Sequence, residues 1–145
     1  ESLFLAANSA RGQNGPLFSV TRYGNVWNSA GSVLPRWREA MAEGQPVQIT
    51  DLNCTRFFMR MYQAVALVWN TLQAMEGGEL VIPDELAAYR LGDLAEAMCI
   101  DQANITGLPP YEKLHEGMRD GLTSDKAVRM SVSDLRAEIA RVQPL

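Results

Sequence analysis

The sequence predicts an α/β fold, and three observations predict it. Strand-like runs and amphipathic helical runs alternate along the whole chain. Glycine or proline punctuates most of the boundaries between them. The chain has 145 residues, 47% hydrophobic and 21% charged, enough to bury a core as one compact unit spanning residues 1–145. It contains no internal repeat, low-complexity tract or obvious linker.

A helical pattern opens at the first residue, with Leu3, Ala6, Ala7 and Ala10 on one face and Gly12 where the helix should stop. Nothing before it supplies a cap, and no initiator methionine is present. The chain is therefore expected to begin inside a longer polypeptide. Gly12 to Pro16 is a turn by composition, and Leu17 to Tyr23 reads as a strand ending on Gly24-Asn25. From Pro35 a helix is expected, with Leu34, Trp37 and Met41 as its apolar side and Gly44 as its end. Val47 to Thr50 is a short alternating strand, and Arg56 to Met59 a second candidate. Residues 62 to 75 form the clearest helix: Val65, Val68, Trp69, Leu72 and Met75 repeat at helical spacing before Gly77-Gly78. Glu79 to Ile82 is a strand cut by Pro83. Leu91, Leu94, Ala95 and Met98 mark another helix, and Ile105 to Leu108 a short strand before Pro109-Pro110. The last helix starts near Ser133, behind the capping pattern of Ser131 and Asp134, with Leu135, Ile139 and Val142 on one side.

Charge excludes several classes. The net charge is −4 and the arginines are scattered, so a nucleic-acid backbone is not the partner. No apolar run approaches the roughly 18 residues of a membrane span, and the N-terminus lacks the basic start of a signal peptide. Cys54 and Cys99 lie far apart without metal-ligand spacing, and His115 is the one histidine. That pattern suits reduced thiols in a cytoplasmic protein and leaves no metal site. His115 has no serine or cysteine partner in a recognisable motif, so a hydrolytic triad has no support.

Three places carry candidate chemistry. Asn25, at a strand end behind Gly24, either donates its amide to a phosphate oxygen or closes a turn on its own backbone. Arg56, in NCTRFFM, either forks onto a diphosphate or sits on the surface at a strand start. Glu112, in the ionisable cluster YEKLHEGM, either accepts from ribose hydroxyls or belongs to a solvated face. Trp27, Trp37 and Trp69 read as core or pocket wall. The segment GNVWNSAG has neither the spacing nor the strand-to-helix context of G-x-G-x-x-G, so the chain alone is not expected to bind a dinucleotide in the usual way.

Taken in order, RYGNV, GSVLP, TRFFM, GGELVIP, LGDLAEAM and YEKLHE resemble the C-terminal half of the extended short-chain dehydrogenase/reductases. The resemblance is strongest to the nucleotide-sugar 4,6-dehydratases that act on UDP-N-acetylglucosamine in polysaccharide biosynthesis, and it runs from residue 1 to about residue 120. It implies the last strand or strands of a Rossmann-type sheet over residues 1–26 and mainly the small substrate-binding α/β subdomain over residues 27–145. It implies that Asn25 and Arg56 contact the diphosphate, that Ser32 and Val33 close over the nucleotide, that Gln48 and Thr50 line the uracil pocket, and that Glu112 holds the ribose. Tyr23 and Gly24 would lie near the nicotinamide. The complete family enzyme uses NAD(P) to take a hydride from C4, eliminates water across C5–C6 and returns the hydride to C6. Its Tyr-x-x-x-Lys motif and glycine-rich site precede the helix that opens this chain. No catalytic residue is therefore expected here, and no cofactor is bound by this chain alone.

The chain departs from the family at Pro109-Pro110-Tyr111-Glu112, where the family has Arg-Pro-Gly-Glu. A charge-assisted contact of about 1.5–3 kcal/mol is lost with that arginine, and Tyr111 replaces a glycine. Asn28 also differs from the small or basic residues usual in its loop. Two readings stay open. One is the substrate-binding portion of a dehydratase, completed by a missing N-terminal half or a partner chain and compatible with homo-oligomers. The other is a non-catalytic remnant or split-protein module that binds a nucleotide sugar or a partner chain.

Overall fold

A computed structural model describes residues 1–119 and 121–142. The end of the expected unit, residues 143–145, lies outside the described residues. In chain order the first elements are α1 (Ser2–Ala10), β1 (Val20–Thr21), β2 (Asn25–Val26), α2 (Val33–Ala42), β3 (Val47–Ile49) and β4 (Thr55–Met59). There follow α3 (Met61–Ala74), β5 (Leu80–Val81), β6 (Ala87–Arg90), α4 (Leu91–Ala97) and β7 (Ala103–Ile105). The hairpin β8 (Gly117–Arg119) and β9 (Leu122–Thr123) leads to α5 (Val132–Arg141). Two compact units result, one from residues 1–23 and 60–85, the other from residues 24–59 and from residue 86 onward.

In the first unit β1 and β5 pair in parallel, Val20 with Leu80 and Thr21 with Val81. The strand expected over Leu17 to Tyr23 shrinks to two residues because a side chain takes the place of a partner strand. Asn8 on α1 donates to the Phe18 carbonyl at 2.7 Å and accepts from the Phe18 N–H at 3.0 Å. Gly77 must be glycine for that: its φ is +102°, and a Cβ there would stand 2.7 Å from Asn8 Oδ1. The apolar stripe of α3 is a helix face as expected, but it does not form a core. Only Ala64 is buried in this helix, while Val65 and Leu72 are exposed and Trp69 is 59% exposed. Trp69 therefore does not join the core with Trp27 and Trp37.

The second unit is built around β4, whose five residues are all buried. It pairs in parallel with β2, Asn25 opposite Phe58, and antiparallel with β6, Arg56 opposite Tyr89. Beside it β3 and β7 pair in parallel, and β8 and β9 antiparallel. Val47 and Ile49 of β3 point inward and Gln48 outward, the alternation of a half-buried strand. The core joins Trp27, Leu34, Trp37, Ile49, Phe58, Tyr89, Leu94 and Leu135. Trp27 packs edge-on against Tyr89 at 5.7 Å and tilted against Phe58 at 5.3 Å. Its indole N–H and that of Trp37 end on the carbonyls of Glu138 and Gln48.

The chain does not stop at Gly24-Asn25. Asn25 and Val26 form β2, so Asn25 lies within a strand rather than past the end of one. What comes close to the backbone at Gly24 is Phe57, whose Cβ lies 2.7 Å from where a Gly24 Cβ would be. Helix α2 begins at Val33, two residues before the expected start, and β7 lies at Ala103–Ile105 rather than 105–108. Strands β6, β8 and β9 have no counterpart in the sequence reading.

Candidate functional site

An open cavity of about 750 Å³ lies in the second unit, between α2, β3, the ends of β2 and β4, and the loop that carries Glu112. Asn25, Ser32, Val33, Gln48, Thr50, Arg56 and Glu112 all line it. Tyr23 and Gly24 do not. The residues brought together come from positions as far apart as 25 and 112, delivered by β2, the start of α2, β3 and its end, β4 and the loop after β7.

Arg56 is the second residue of the buried strand β4, and only 7% of it is exposed. It is not a surface arginine. A charge so placed has to be paired and hydrogen-bonded. Its Nη2 donates to Glu112 Oε1 at 2.5 Å, its Nη1 to the carbonyls of Thr55 at 2.8 Å and Leu114 at 3.3 Å, and its Nε lies 3.7 Å from Glu116 Oε1. Glu112 is held in turn. Its N–H closes a turn onto the Pro109 carbonyl at 3.0 Å, and Thr50 donates to its Oε1 at 3.4 Å. The cavity's buried cation is thus compensated by its own chain.

Asn25 does not close a turn on itself, because its amide makes no side-chain hydrogen bond and is exposed. Ser32 is the residue before α2, and its buried Oγ has no partner. Without a side-chain cap, the first-turn N–H groups of α2 keep their donors. Gln48 donates to the Pro46 carbonyl at 3.0 Å and accepts from Asn104 at 2.9 Å, which fixes its amide at the cavity wall. Burial pushes the Tyr89 phenol well above its ordinary pKa, with a smaller opposing pull from Arg56. Tyr89 therefore stays a neutral wall.

Several lining residues escaped the sequence reading: Arg36, Tyr89 and Thr106. Tyr89 was hidden with strand β6. Arg36 carries a signal, a charged side chain in the first turn of a helix beside its buried Leu34 and Trp37, but only the cavity gives it meaning. The reading also missed a buried cluster beside the site. His115 Nδ1 lies 2.8 Å from Thr55 Oγ1, which lies 2.6 Å from Ser124 Oγ, and the Glu116 N–H donates to that Oγ at 2.8 Å. Thr55 and Ser124 are 1% and 0% exposed, so neither hydroxyl is reachable as a nucleophile. The cluster ties the segment bearing Glu112 and Glu116 to β4 and so sets the Arg56 geometry.

Among the described residues no three acidic, histidine or cysteine side chains converge as a metal site, and no helix is long and apolar enough to cross a membrane. At Gly24, where a nicotinamide contact was expected, a Cβ would stand 2.7 Å from Phe57 Cβ.

The chain matches the family model described as polysaccharide biosynthesis protein over residues 1–135. It is 39% identical over 120 residues to the UDP-N-acetylglucosamine 4,6-dehydratase (inverting) of Campylobacter jejuni, covering 81% of this chain and 36% of that protein. Among solved structures it resembles Pen from Bacillus thuringiensis, with a TM-score of 0.85 at 28% identity over 97% of this chain and 54% of the other. A UDP-glucuronic acid 4-epimerase from Bacillus cereus, solved with UDP-glucuronic acid and NAD, shares the fold at a TM-score of 0.60 and 18% identity, over 84% of this chain and 44% of that one. The chain thus spans about a third to a half of the length of these relatives. Its fold is a portion of a Rossmann-type nucleotide-sugar enzyme.

Proposed function

Because the chain belongs to the polysaccharide biosynthesis protein family, we propose that it is the substrate-binding portion of a nucleotide-sugar 4,6-dehydratase. The substrate is a UDP-N-acetylglucosamine-like sugar nucleotide, and the setting is the cytoplasm. The observation that carries this reading is the convergence of Asn25, Ser32, Gln48, Thr50, Arg56 and Glu112 on one cavity. Arg56 and Asn25 take the diphosphate, Glu112 the ribose, and Gln48 with Thr50 the base. These groups bind and orient, which contributes the entropy part of catalysis. NAD(P), which supplies the hydride chemistry when bound, is assigned to polypeptide outside this chain, together with the catalytic tyrosine and lysine.

The test is calorimetric titration with UDP-N-acetylglucosamine. Micromolar to millimolar binding, weakened about 10-fold or more by Arg56→Ala, supports the reading. Absence of binding to the folded chain overturns it. A second reading, a module that binds nucleotide sugar or a partner chain without dehydrating anything, is favoured by the exposed apolar stripe of α3. The intact mass of the native protein, followed by a dehydratase assay with NAD, separates the two.

A further inference from the structure

The cavity is lined by two cations, and they are not equivalent. Arg56 is buried and already holds Glu112, Glu116 and two carbonyls. Arg36 lines the same cavity from the first turn of α2, is exposed, and makes no ion pair or side-chain hydrogen bond among the described residues. Near it, Ser32 Oγ is buried without a partner. Pro35 has no N–H to give, and the Arg36 N–H turns back to the Ser32 carbonyl at 3.4 Å. The donors left at this end are the Ser32 hydroxyl, the N–H groups of Val33 and Leu34, and the Arg36 guanidinium. Opposing them, Glu39 of the same helix and Glu43 just past its end also line the cavity. With Glu112 they outnumber the arginines, so an anionic ligand needs a cation that is not already spoken for.

We propose that Arg36 is the specificity-determining cation of this cavity: it swings onto the phosphoryl group of a nucleoside diphosphate at the start of α2, and adds to the contact made by the already paired Arg56. The inference rests on the reading of the cavity as a nucleotide-sugar site. It adds that discrimination between phosphorylated and unphosphorylated ligands resides in Arg36.

The test compares UDP, uridine and inorganic pyrophosphate on the 145-residue chain, read by calorimetry and by the fluorescence of Trp27 and Trp37, with Arg36→Gln, Arg36→Lys and Glu39→Gln as variants. Arg36→Gln should weaken UDP and pyrophosphate about 10-fold. It should leave uridine within about 2-fold and flatten the salt dependence of UDP binding. Arg36→Lys should restore most of the loss, and Glu39→Gln should tighten UDP a few-fold. Equal UDP affinity in wild type and Arg36→Gln overturns the inference and leaves the cavity reading standing, as does an equal loss for uridine. Failure of the wild-type chain to bind UDP overturns both. Arg36 is exposed and makes no ion pair or side-chain hydrogen bond among the described residues, so circular dichroism and thermal melting should change little on substitution.

Discussion

Arg56 and Glu112, fifty-six positions apart in sequence, meet at 2.5 Å on the cavity wall. The resemblance gives them separate partners, the diphosphate and the ribose. The structure pairs them with each other first, so a ligand has to draw on a cation and a carboxylate that are already engaged.

Glu112→Gln tests that pairing. Arg56 is 9% exposed at its side chain and Glu112 29%, so the pair is only partly screened. Breaking it leaves a buried guanidinium under-compensated, and stability should fall by about 1–3 kcal/mol in urea unfolding. The same change frees positive potential into the cavity, so inorganic pyrophosphate should bind a few-fold tighter. If Arg56 is instead indifferent to Glu112, both quantities stay at wild-type values.

Gly24→Ala should destabilise the second unit by about 1–3 kcal/mol, since the new Cβ would sit 2.7 Å from Phe57 Cβ and one backbone would have to shift. Gly117→Ala is the control. It has nothing within 4 Å and no positive φ, and it should stay within about 0.5 kcal/mol of wild type. Paired urea melts decide the matter, and equal midpoints for the two variants would refute the close-approach account.

Acid sensitivity of the first unit should centre on Glu79. Its carboxylate accepts from the Ser19 hydroxyl and from the N–H groups of Glu76 and Gly77, which lower its pKa from 4.5 to about 2. The folded value lies below the unfolded one. The stabilisation is therefore complete above about pH 4.5 and is lost as pH falls toward 2. Ser19→Ala removes the largest cause, so amide exchange at Val20 and Gly78, both bonded across this corner, should depend less on pH in that window. An unchanged pH profile would assign the acid sensitivity to other groups of this unit, such as Glu1, which its hydrogen bond from Arg22 shifts in the same direction.

How much of this was legible in the sequence depends on distance along the chain. The helices were legible because each carries its own period: α1, α3 and α5 lie within a residue or two of the expected spans. As cavity-lining residues, Asn25, Arg56 and Glu112 stood out from their local context, whereas Ser32 and Gln48 were reached only through ordered motifs. Strand β6 was not, because Ala87-Ala88-Tyr89-Arg90 has no alternation, and its burial comes from β4 on one side and the segment at Arg129 on another. The face of α3 was legible as apolar, but its solvent exposure was not, since periodicity fixes a face and says nothing about what covers it. The His115–Thr55–Ser124 cluster spans 60 and 69 positions and left no trace in any motif.

Each unit is stitched from two stretches, with the chain changing unit after residues 23, 59 and 85. This imposes an order on synthesis. When a ribosome has released α1 and β1, the strand that pairs with β1 is still about 60 residues away, and Ser19 has no Glu79 to meet. When β4 emerges, Arg56 is a charged residue in an apolar strand without its carboxylate. The first unit closes only once β5 is made, and the second only after the hairpin and α5 follow. Contacts this distant make folding slow relative to a chain of local helices. Over the fifty-six positions from Arg56 to Glu112 the nascent chain therefore carries its buried cation without its carboxylate, the interval in which a chaperone would matter most.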